Sequence, residues 1–471
     1  MRDFEVLLKE SLPDYAADAL LEVLGDGSSS AEVSIRLNPQ KDFDSGFNMR
    51  PVPWCKDAFF LSERPNFTLD PSFHAGAYYV QDSSSMFPAL IADRILDSLS
   101  PKGAVLDLCA SPGGKSTHLI SILKDKRPLV VSNEAVGKRV PPLTDNIAKW
   151  GAGNVIVTNA SAGILGKASG FFDVILADVP CSGEGMFRKS ADAIEGWSLG
   201  SVKDCAALQR TIISDVWPAL REGGLLVYST CTYNHFENQD NVKFIAEELG
   251  AEYVPVEDES LPSGVVKLPW GYQFVPGLVP GEGQFFALLR KNSAAGGRRL
   301  SARKARFVSA GSDALVLDKE KNQIYAFVLS LDFANWISEV NPSCVKTLGC
   351  RVGEIKAGKI IPDADLALST ALTGAENGQI SVNSNVCGKV SALEFSCAEI
   401  DRETALKFLS RENITPQPSW PRGYILLRYR GLGLGFVNNL GKRCNNLHPL
   451  MRRIRTYSPM PGALQASGRE P

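Results

Sequence analysis

The chain has 471 residues, of which 44% are hydrophobic and 22% charged, and its formal net charge is −2. This balance is typical of a globular protein of two to four domains, at ~100–200 residues each, and it excludes a largely disordered chain. Because the net charge is close to zero, any indication of a nucleic-acid partner has to come from local clusters of charge.

The N-terminal residues mix charged and apolar side chains, and no uncharged apolar run approaches the ~20 residues that span a bilayer. The ten cysteines include no CxxC pair and no clustered Cys/His spacing, which favours reduced thiols over a metal site. We therefore expect a soluble cytoplasmic monomer that binds no membrane and no metal.

Residues 1–97 combine a helical pattern over Phe4–Leu24 with short apolar runs such as Val33–Leu37, and they predict an N-terminal α+β domain. From 98 to 290, apolar runs of strand length alternate with longer segments of helical periodicity. This alternation predicts a doubly wound, Rossmann-like α/β domain with a mainly parallel sheet. The predicted strands are Ala104–Leu108, Leu129–Val131, Val155–Val157, Val174–Ala177, Leu225–Tyr228 and Gln284–Leu289.

Residues 291–306 are small, glycine-containing and basic, which indicates a linker. Beyond it, short β-like runs rich in Gly, Pro and Asn indicate smaller α+β or β-rich units. We divide them into an intermediate domain at 307–390 and a C-terminal module at 391–460, and we expect a disordered tail at 461–471.

A glycine turn follows the first strand of the α/β domain. Such a turn lets the backbone approach a ligand closely and directs free N–H groups at it. Glu134 ends the next strand about 20 residues later, where an acid accepts hydrogen bonds from a ribose diol. GxGxxG and Walker patterns are absent from this turn, so an adenosyl cofactor without phosphates is favoured over a dinucleotide or a nucleoside triphosphate. The turn consists of Cys109, Ala110, Ser111, Pro112, Gly113, Gly114 and Lys115.

Two cysteines follow the fourth and fifth strands of the same domain. The fourth ends in Asp178-Val179-Pro180-Cys181, and the fifth is followed by Ser229-Thr230-Cys231. Because parallel strands end at one rim of a sheet, both thiols and the Asp178 carboxylate are expected beside the cofactor turn. Either cysteine alone is more simply a buried small hydrophobe, but the three groups together predict a catalytic centre.

These segments resemble the NOL1/NOP2/Sun family of RNA cytosine-5 methyltransferases. The resemblance rests on VLDLCASPGGKS (105–116), SNEAVGKRV (132–140), DVILADVPCSGEGMFRK (173–189) and LVYSTCTYNHFEN (226–238), with SIRLNP (34–39) and AYYVQDSSSM (77–86) as N-terminal elements. The GEGMFRK continuation and the C-terminal extension are most similar to the bacterial subgroup that acts on small-subunit (16S) ribosomal RNA. The resemblance implies an enzyme that uses S-adenosyl-L-methionine, with a PUA-like C-terminal RNA-binding region.

The resemblance also implies roles for individual residues. Cys231 is the nucleophile that adds to carbon 6 of cytosine, Asp178 contacts the N3 and amino edge, and Cys181 assists release of the methylated base. Lys115 orients Asp178 or steadies the thiolate. The cofactor set is the glycine turn together with Glu134, Arg139, Asn159, Ser161 and Asp178.

Some positions depart from the family's pattern. Val179 replaces the usual alanine, and no acid occupies positions 158–161, so Asn159 or Ser161 takes the place of an acidic adenine contact. Pro141 and Pro142 are expected to delay the helix that follows. His118 and His235 lie close to the motifs, and we expect structural or solvent-facing roles for both.

Basic residues concentrate between 422 and 455, a segment without Asp or Glu. Such a localised patch predicts contact with RNA phosphates. Its aromatic residues Tyr424, Tyr429 and Phe436 are more simply core than stacking platforms. The predicted RNA contacts are Arg422, Arg428, Arg430, Lys442, Arg443, Arg452, Arg453 and Arg455, with Arg188 and Lys189 near the catalytic rim and Arg298, Arg299, Arg303, Lys304 and Arg306 as a second surface.

Other functions remain open at this point. A DNA cytosine methyltransferase would use the Pro-Cys thiol as its nucleophile and would not need Cys231. A non-catalytic RNA-binding or ribosome-assembly factor would retain the fold without needing both thiols. A transfer RNA substrate is compatible with every motif.

Overall fold

The computed structural model describes most of the chain, and its strands there form four sheets. The predicted tail at 461–471, and Arg298 and Arg299 of the predicted linker, lie outside the described residues. The described residues are 2–26, 32–90, 103–123, 128–293, 300–309, 315–327, 329–357, 359–370, 379–382 and 393–455.

The N-terminal region contains two helices, α1 (Arg2–Ser11) and α2 (Asp14–Gly25), rather than one continuous helix over Phe4–Leu24. Pro13 separates them because proline lacks the N–H of a helix interior and disfavours helical geometry in the residue before it. An antiparallel sheet of order β2-β3-β1-β4 follows. Its elements are β1 (Ser34–Leu37), β2 (Met49–Val52), β3 (Cys55–Leu61) and β4 (Tyr78–Val80), with the short helix α3 (Pro71–His74) before β4.

The central sheet confirms the predicted α/β core, and each of the six predicted apolar runs is a strand in it. Its order is β11-β12-β13-β9-β8-β5-β6-β7-β17, with β10 paired to β13. Strands β9, β8, β5, β6 and β7 are parallel, and β13 runs antiparallel to β9. The strands are β5 (Ala104–Asp107), β6 (Leu129–Asn133), β7 (Val155–Thr158), β8 (Phe172–Asp178), β9 (Leu220–Thr230), β10 (Ala251–Tyr253), β11 (Val266–Leu268), β12 (Gly271–Phe274), β13 (Gln284–Lys291) and β17 (Val345–Leu348).

Helices connect these strands and cover the sheet, whose residues belong to apolar clusters on both faces. Val140 begins the helix after β6, so Pro141 and Pro142 lie in its first turn. The predicted delay of this helix is wrong, because N–H groups of a first turn have no partner within the helix and proline loses nothing there. The helices are α4 (Gly114–Ile122), α5 (Val140–Trp150), α6 (Ala162–Gly166), α7 (Ala191–Glu195), α8 (Leu199–Val216) and α9 (Gln239–Glu248).

The C-terminal part contributes two further sheets. The first has the order β14-β15-β16-β18-β19 and the second the order β20-β21-β22-β23-β24. Their strands are β14 (Phe307–Ser309), β15 (Leu315–Asp318), β16 (Gln323–Ala326), β18 (Cys350–Lys356), β19 (Lys359–Pro362), β20 (Gln379–Val382), β21 (Leu393–Glu399), β22 (Gly423–Tyr429), β23 (Leu432–Asn439) and β24 (Cys444–Asn446). Their helices are α10 (Asp332–Val340), α11 (Ala364–Leu368) and α12 (Arg402–Leu409).

The segment 307–390 supplies strands to three sheets. Most form the first C-terminal sheet, but β17 extends the central sheet beside β7, and β20 pairs with β21 of the last sheet. The division of the chain into domains at the predicted boundaries therefore stays a prediction. Within the described ranges, no helix has both the length and the apolar character that a membrane span requires.

Candidate active site

The strand order of the central sheet reverses at β5, because the chain runs outward through β6 and β7 and then returns to β8 on the other side. Such a reversal opens a crevice at the carboxyl ends of the strands. A cleft of about 220 Å³ lies there. Its walls are Tyr79, Val80, Gln81, Asp82, Ser85, Asp107, Cys109, Ala110, Ser111, Pro112, Gly114, Lys115 and Asp178.

The glycine turn forms one wall of this cleft. Gly113 has a φ of 114° and precedes helix α4, a backbone conformation that glycine adopts without strain. Arg139 and Ser111 brace the turn reciprocally, since the guanidinium donates to the Ser111 carbonyl and the Ser111 hydroxyl donates to the Arg139 carbonyl, each at 2.8 Å. Arg139 therefore shapes the turn from outside, and neither it nor Gly113 is among the residues that line the cleft.

Glu134 is 3% exposed at the end of β6. One of its carboxylate oxygens accepts from the Val136 N–H at 2.8 Å. The other, Oε2, has no hydrogen-bond partner and lies 3.7 Å from the Arg139 guanidinium. A buried carboxylate oxygen without a hydrogen bond is costly and is ready to accept one from a ligand. The residue thus fits a ribose hydroxyl.

Asn159 and Ser161 differ in their relation to Glu134. Asn159 donates its amide hydrogens to the carbonyls of Glu134 and Ala135, at 2.7 and 3.0 Å, and so fixes the backbone that carries the acid. Ser161 is exposed and accepts from the Ile164 N–H as the N-cap of α6. The structure therefore places Asn159 against the backbone of Glu134, while Ser161 caps the helix, and Glu134, Asn159 and Ser161 are not among the residues that line the cleft.

The charge of the cleft discriminates between classes of ligand. Asp82, Asp107 and Asp178 line it, and Lys115 is the basic side chain among its lining residues. Burial raises the pKa of Asp107 to about 7, opposed by a hydrogen bond from Ser116, and its Oδ1 has no partner. Such a wall repels phosphates and suits a cationic ligand. These residues fit an adenosyl cofactor with a positively charged tail.

Asp178 is the centre of a polar cluster. Lys115 donates to its Oδ2 at 2.8 Å, while Ser229 and Gln284 donate to Oδ1 at 2.7 and 3.0 Å. Burial lowers the pKa of Lys115, but the attraction of Asp178 outweighs it, so the pKa lies above its usual value. Lys115 therefore carries its charge at neutral pH.

Two of these partners were not predicted. Ser229 is the register partner of Asp178 on the neighbouring parallel strand, a pairing that the Asp-x-Pro-Cys and Ser-Thr-Cys motifs already imply. Gln284 opens the antiparallel strand β13 and carries no local signal for this role.

The two thiols meet at the same rim. Cys181 follows β8 and Cys231 follows β9, and their Sγ atoms are 3.1 Å apart. The hydrogen bond to Cys231, followed by burial, raises the pKa of Cys181 well above its usual value. Cys181 is therefore protonated at neutral pH, and the two sulfur atoms share a hydrogen bond in which either can be the donor. Both are free thiols.

The N-terminal sheet also reaches the cleft, through Gln81 and Asp82 after β4. Arg36 of β1 is buried and donates to the Gln81 side chain at 3.1 Å, the Gly114 carbonyl at 3.1 Å and the Thr117 hydroxyl at 2.6 Å. Arg36 and Gln81 belong to the N-terminal segments that carried the family resemblance, but no local sequence pattern predicted that they lie at the site.

The two histidines lie outside this cluster. His118 is buried, its ring contacts the Cys55 sulfur at 3.6 Å, and burial holds its pKa well below the usual value. His235 pairs through Nδ1 with Asp240 at 2.8 Å.

The basic residues of the C-terminal segment do not form one patch. Arg422, Lys442 and Arg443 are exposed at the open end of the β22–β23 hairpin, where Gly423 pairs with Asn439. Arg428 and Arg430 lie at its turn, and Arg428 donates to the Gly431 carbonyl there. Arg453 and Arg455 are exposed near the end of the described chain.

Several predicted RNA contacts are instead held by carboxylates. Arg452 has a side chain only 13% exposed and is paired with Asp145 and Asp365. Arg306 is buried against Asp318 at 2.7 Å. Arg188 and Lys189 pair with Glu282 at 3.6 and 3.3 Å, but Lys189 remains 48% exposed.

The remaining predicted positions divide by exposure. Arg303 and Lys304 are exposed, whereas Phe436 is buried against Phe395 with ring centroids 5.0 Å apart and Tyr429 is also buried. These two aromatic residues belong to the core.

Three regions of the chain match known protein families. Residues 95–290 match the family described as 16S rRNA methyltransferase RsmB/F. Residues 2–83 match the N-terminal domain of 16S rRNA methyltransferase RsmF, and 395–454 match the methyltransferase RsmF PUA domain.

Relatives match over nearly the whole chain. Ribosomal RNA small subunit methyltransferase F of Shewanella loihica is 30% identical, with 98% of each chain covered. The protein of the same name from Photobacterium profundum is 28% identical, covering 94% of this chain and 95% of the relative. NSun6 from Pyrococcus horikoshii shares the fold at a TM-score of 0.50 and 20% identity, covering 61% of this chain and 97% of that one. On these matches, the chain belongs to the ribosomal RNA small subunit methyltransferase F family.

Proposed function

We propose that this protein transfers a methyl group from S-adenosyl-L-methionine to carbon 5 of a cytosine in 16S ribosomal RNA. The observation that carries the proposal is the pair of thiols, 3.1 Å apart, at the rim that also holds Asp178 and the cofactor cleft. Membership of the methyltransferase family supports the reaction class, and the acidic, phosphate-repelling cleft supports the cofactor.

When bound, S-adenosyl-L-methionine supplies an electrophilic methyl group. On the protein side, the glycine turn offers the N–H groups at the start of α4, and Glu134 offers its unpartnered oxygen to the ribose. Asp107 and Asp178 offer carboxylates to the cationic part. We assign the cofactor contacts to Cys109, Ala110, Ser111, Pro112, Gly114, Lys115, Glu134 and Asp178, with Gly113, Arg139 and Asn159 as their supports.

Carbon 5 of cytosine is too weak a nucleophile to take the methyl group unaided. In the proposed mechanism the Cys231 thiolate adds to carbon 6, and Asp178 holds the N3 and amino edge, so that carbon 5 gains the electron density of an enamine. The Lys115 ammonium interacts electrostatically with Cys231 as well as with Asp178. Addition and methyl transfer thus become two easier steps.

The product is released after methyl transfer. Solvent water takes the proton from carbon 5, the C–H electron pair restores the double bond between carbons 5 and 6, and the bond between carbon 6 and sulfur breaks with its electron pair staying on Cys231. Cys181 lies in hydrogen-bond contact with that sulfur and keeps its own proton at neutral pH. We therefore assign Cys181 the donation of a proton to the departing sulfur.

The target cytosine has to leave its stack to reach this rim. Exposed basic side chains are suited to hold the surrounding RNA by its phosphates. Because the cleft, both thiols and these surfaces all come from one chain, we propose that a monomer suffices, acting where bacterial ribosomes are made, in the cytoplasm. The proposed contacts are Lys189, Arg303, Lys304, Arg422, Arg428, Arg430, Lys442, Arg443, Arg453 and Arg455.

The proposal is tested by methyl transfer from labelled S-adenosyl-L-methionine to 16S ribosomal RNA, naked and within small subunits, with transfer RNA as a comparison. We expect bisulfite-resistant cytosines with the wild type. Cys231→Ala should lose activity by about 10³-fold or more, as removal of a nucleophile does. Cys181→Ala should accumulate a covalent protein–RNA adduct. Cys205→Ala, on α8 outside the site, is the matched control.

Other results of this assay would each change one part of the proposed function. Activity in Cys231→Ala with none in Cys181→Ala would reverse the nucleophile. Methylation of transfer RNA alone would change the substrate. RNA binding without any methyl transfer would favour the assembly-factor function.

A further inference from the structure

Two buried carboxylates connect the loops that carry the thiols. Glu184 lies three residues after Cys181, and only 2% of it is exposed. Its Oε2 accepts from the Thr232 hydroxyl and from the N–H groups of Tyr233 and Asn234, the latter two at 2.7 and 3.2 Å. The first loop thus holds the backbone that directly follows Cys231.

The other oxygen of Glu184 is equally engaged. Its Oε1 accepts from the Asn234 amide at 2.9 Å and from the Trp197 indole N–H at 3.0 Å. Every one of these partners is a donor. The site therefore requires an acceptor on both oxygens, which among side chains of this size only a carboxylate provides.

Glu237 makes the reciprocal connection from the second loop. It is fully buried, and its Oε2 accepts from the Ser182 N–H at 3.0 Å, one residue after Cys181. Gln209 donates to the same oxygen at 2.7 Å, and Asn234 donates to Oε1 at 2.8 Å. Each thiol loop is therefore held by a carboxylate of the other.

The two thiol loops are in close contact at Gly185. A Cβ on Gly185 would lie 2.4 Å from the Cys231 carbonyl oxygen and 3.2 Å from the Cys231 Cβ. Only a residue without a side chain lets the first loop lie this close to Cys231. This contact and the two carboxylates join the same pair of loops whose sulfur atoms lie 3.1 Å apart.

We infer that Glu184 and Glu237 are positioning residues that hold the two thiols against one base and so couple release of the methylated product to its formation. The inference rests on the proposed function and deepens it. Of the two thiols, only Cys231 takes part in addition to carbon 6, whereas release needs the proton of Cys181 at the same sulfur. Loosening the connection should therefore slow release more than addition.

Glu184→Gln tests the inference with little change of shape. In the variant, an NH2 group replaces the Glu184 oxygen that accepts from Trp197 and Asn234. Because an NH2 group donates and cannot accept, these hydrogen bonds are lost and the two loops should move apart. We expect kcat on RNA to fall about 10- to 100-fold, the effect of losing a charge-assisted hydrogen bond. The KM for S-adenosyl-L-methionine should change less than about twofold, and the fraction of enzyme trapped as RNA adduct should rise. Glu195→Gln, an exposed acid on the adjacent α7, is the matched control.

A second measurement reports the sulfur distance without RNA. Diamide oxidises two adjacent thiols to a disulfide, and its N=N bond takes up the two electrons and two protons. Peptide mass mapping should find the Cys181–Cys231 bridge quickly in the wild type and in Glu195→Gln, and several-fold more slowly in Glu184→Gln. Trp197→Phe removes one donor to Glu184 and keeps an aromatic ring. It should raise the adduct fraction and slow the bridging by smaller amounts than Glu184→Gln. This variant tests the inference if Glu184→Gln does not fold.

The outcomes separate this inference from the proposed function. If the wild type methylates RNA but the Glu184→Gln and Trp197→Phe variants match the control in adduct fraction and bridging rate, the positioning role is wrong. A drop in turnover that follows the folded fraction, with no rise in adduct, would reduce Glu184 to a structural residue. If the wild type methylates no RNA, the proposed function fails, and the bridging rates still decide the geometry.

Discussion

Cys181 and Cys231 lie at the same rim of the central sheet, but different groups surround their thiols. Cys181 keeps its proton because its hydrogen bond to Cys231, and then its burial, raise the pKa of the thiol. Cys231 lies instead within the electrostatic reach of the Lys115 ammonium. At the residue scale, this asymmetry separates the nucleophile from the proton donor.

Replacing Cys231 by alanine should therefore lower the pKa of Cys181. The hydrogen bond to Cys231 is the largest cause of the raised pKa, so without it only burial and the negative charge of Glu237 still disfavour the thiolate, and the anion should form at lower pH than in the wild type. The measurement is the rate of iodoacetamide alkylation of Cys181 against pH, followed by peptide mass. Cys205→Ala should leave the midpoint unchanged, and an unchanged or higher midpoint in Cys231→Ala would contradict the assignment of cause.

Helix α1 supports the catalytic loop from the outside. Phe4 packs against Phe187 and Trp197, with ring centroids 5.0 and 5.7 Å apart. Ser11 at its end accepts from the His235 N–H at 2.9 Å and, through its carbonyl, from Gln239 at 3.0 Å. At the element scale, a helix far from β9 in sequence is part of the wall behind Cys231.

Truncating Phe4 should weaken this support. Phe4→Ala removes a fully buried ring, a change that costs about 3–5 kcal/mol, and it should lower both the Tm and kcat while cofactor affinity changes little. Thermal unfolding and methylation kinetics measure the two effects. Val6→Ala on the same helix, where the side chain is 54% exposed, should alter neither. An unaffected kcat in Phe4→Ala would show that the loop does not depend on the helix.

Arg452 joins three parts of the molecule. It comes from the last described segment and pairs with Asp145 of α5 in the core and with Asp365 of α11, the latter at 2.6 Å. Burial raises the pKa of Asp145, but Lys149 and Arg452 outweigh it, so the pKa lies below its usual value. At the scale of the whole molecule, this residue links the C-terminal segment to helices α5 and α11 through two ion pairs.

Arg452→Met should loosen this junction. Removing one partner of a buried ion pair costs about 3–5 kcal/mol, so thermal unfolding should begin at lower temperature. The sign of the pH effect follows from Asp145: a depressed pKa contributes stability above the unfolded value of about 3.9, and that contribution is lost as pH falls through the folded value. The Tm difference between variant and wild type should therefore shrink below about pH 4.

The neighbouring Arg453→Met provides the control, because Arg453 is exposed. It should leave the Tm unchanged and weaken RNA binding slightly. Equal Tm values for Arg452→Met and the wild type at neutral pH would show that the two ion pairs do not stabilise the junction.

Much of the core could be predicted from the chain itself. Uninterrupted apolar runs bounded by Gly, Pro and Asp indicate buried parallel strands, and the carboxyl ends of such strands share one rim. This physical constraint is enough to place Asp178, Cys181 and Cys231 beside the glycine turn before any coordinates are known. The sequence also predicts the role of Glu134, because an acid at the end of the second strand of such a sheet is placed to accept hydrogen bonds from a ribose.

Partners distant in sequence were decided only by the tertiary structure. Gln284 reaches Asp178 because β13 inserts antiparallel beside β9, Glu184 reaches residues 232–234 because two loops meet at a glycine, and β17 returns to the central sheet from beyond the predicted linker. Arg452 looked like a phosphate contact because its sequence neighbours are basic, yet folding brings two carboxylates to it. Local sequence determines periodicity and turn chemistry, whereas the partner of a buried charge is selected by packing between elements, which no local pattern encodes.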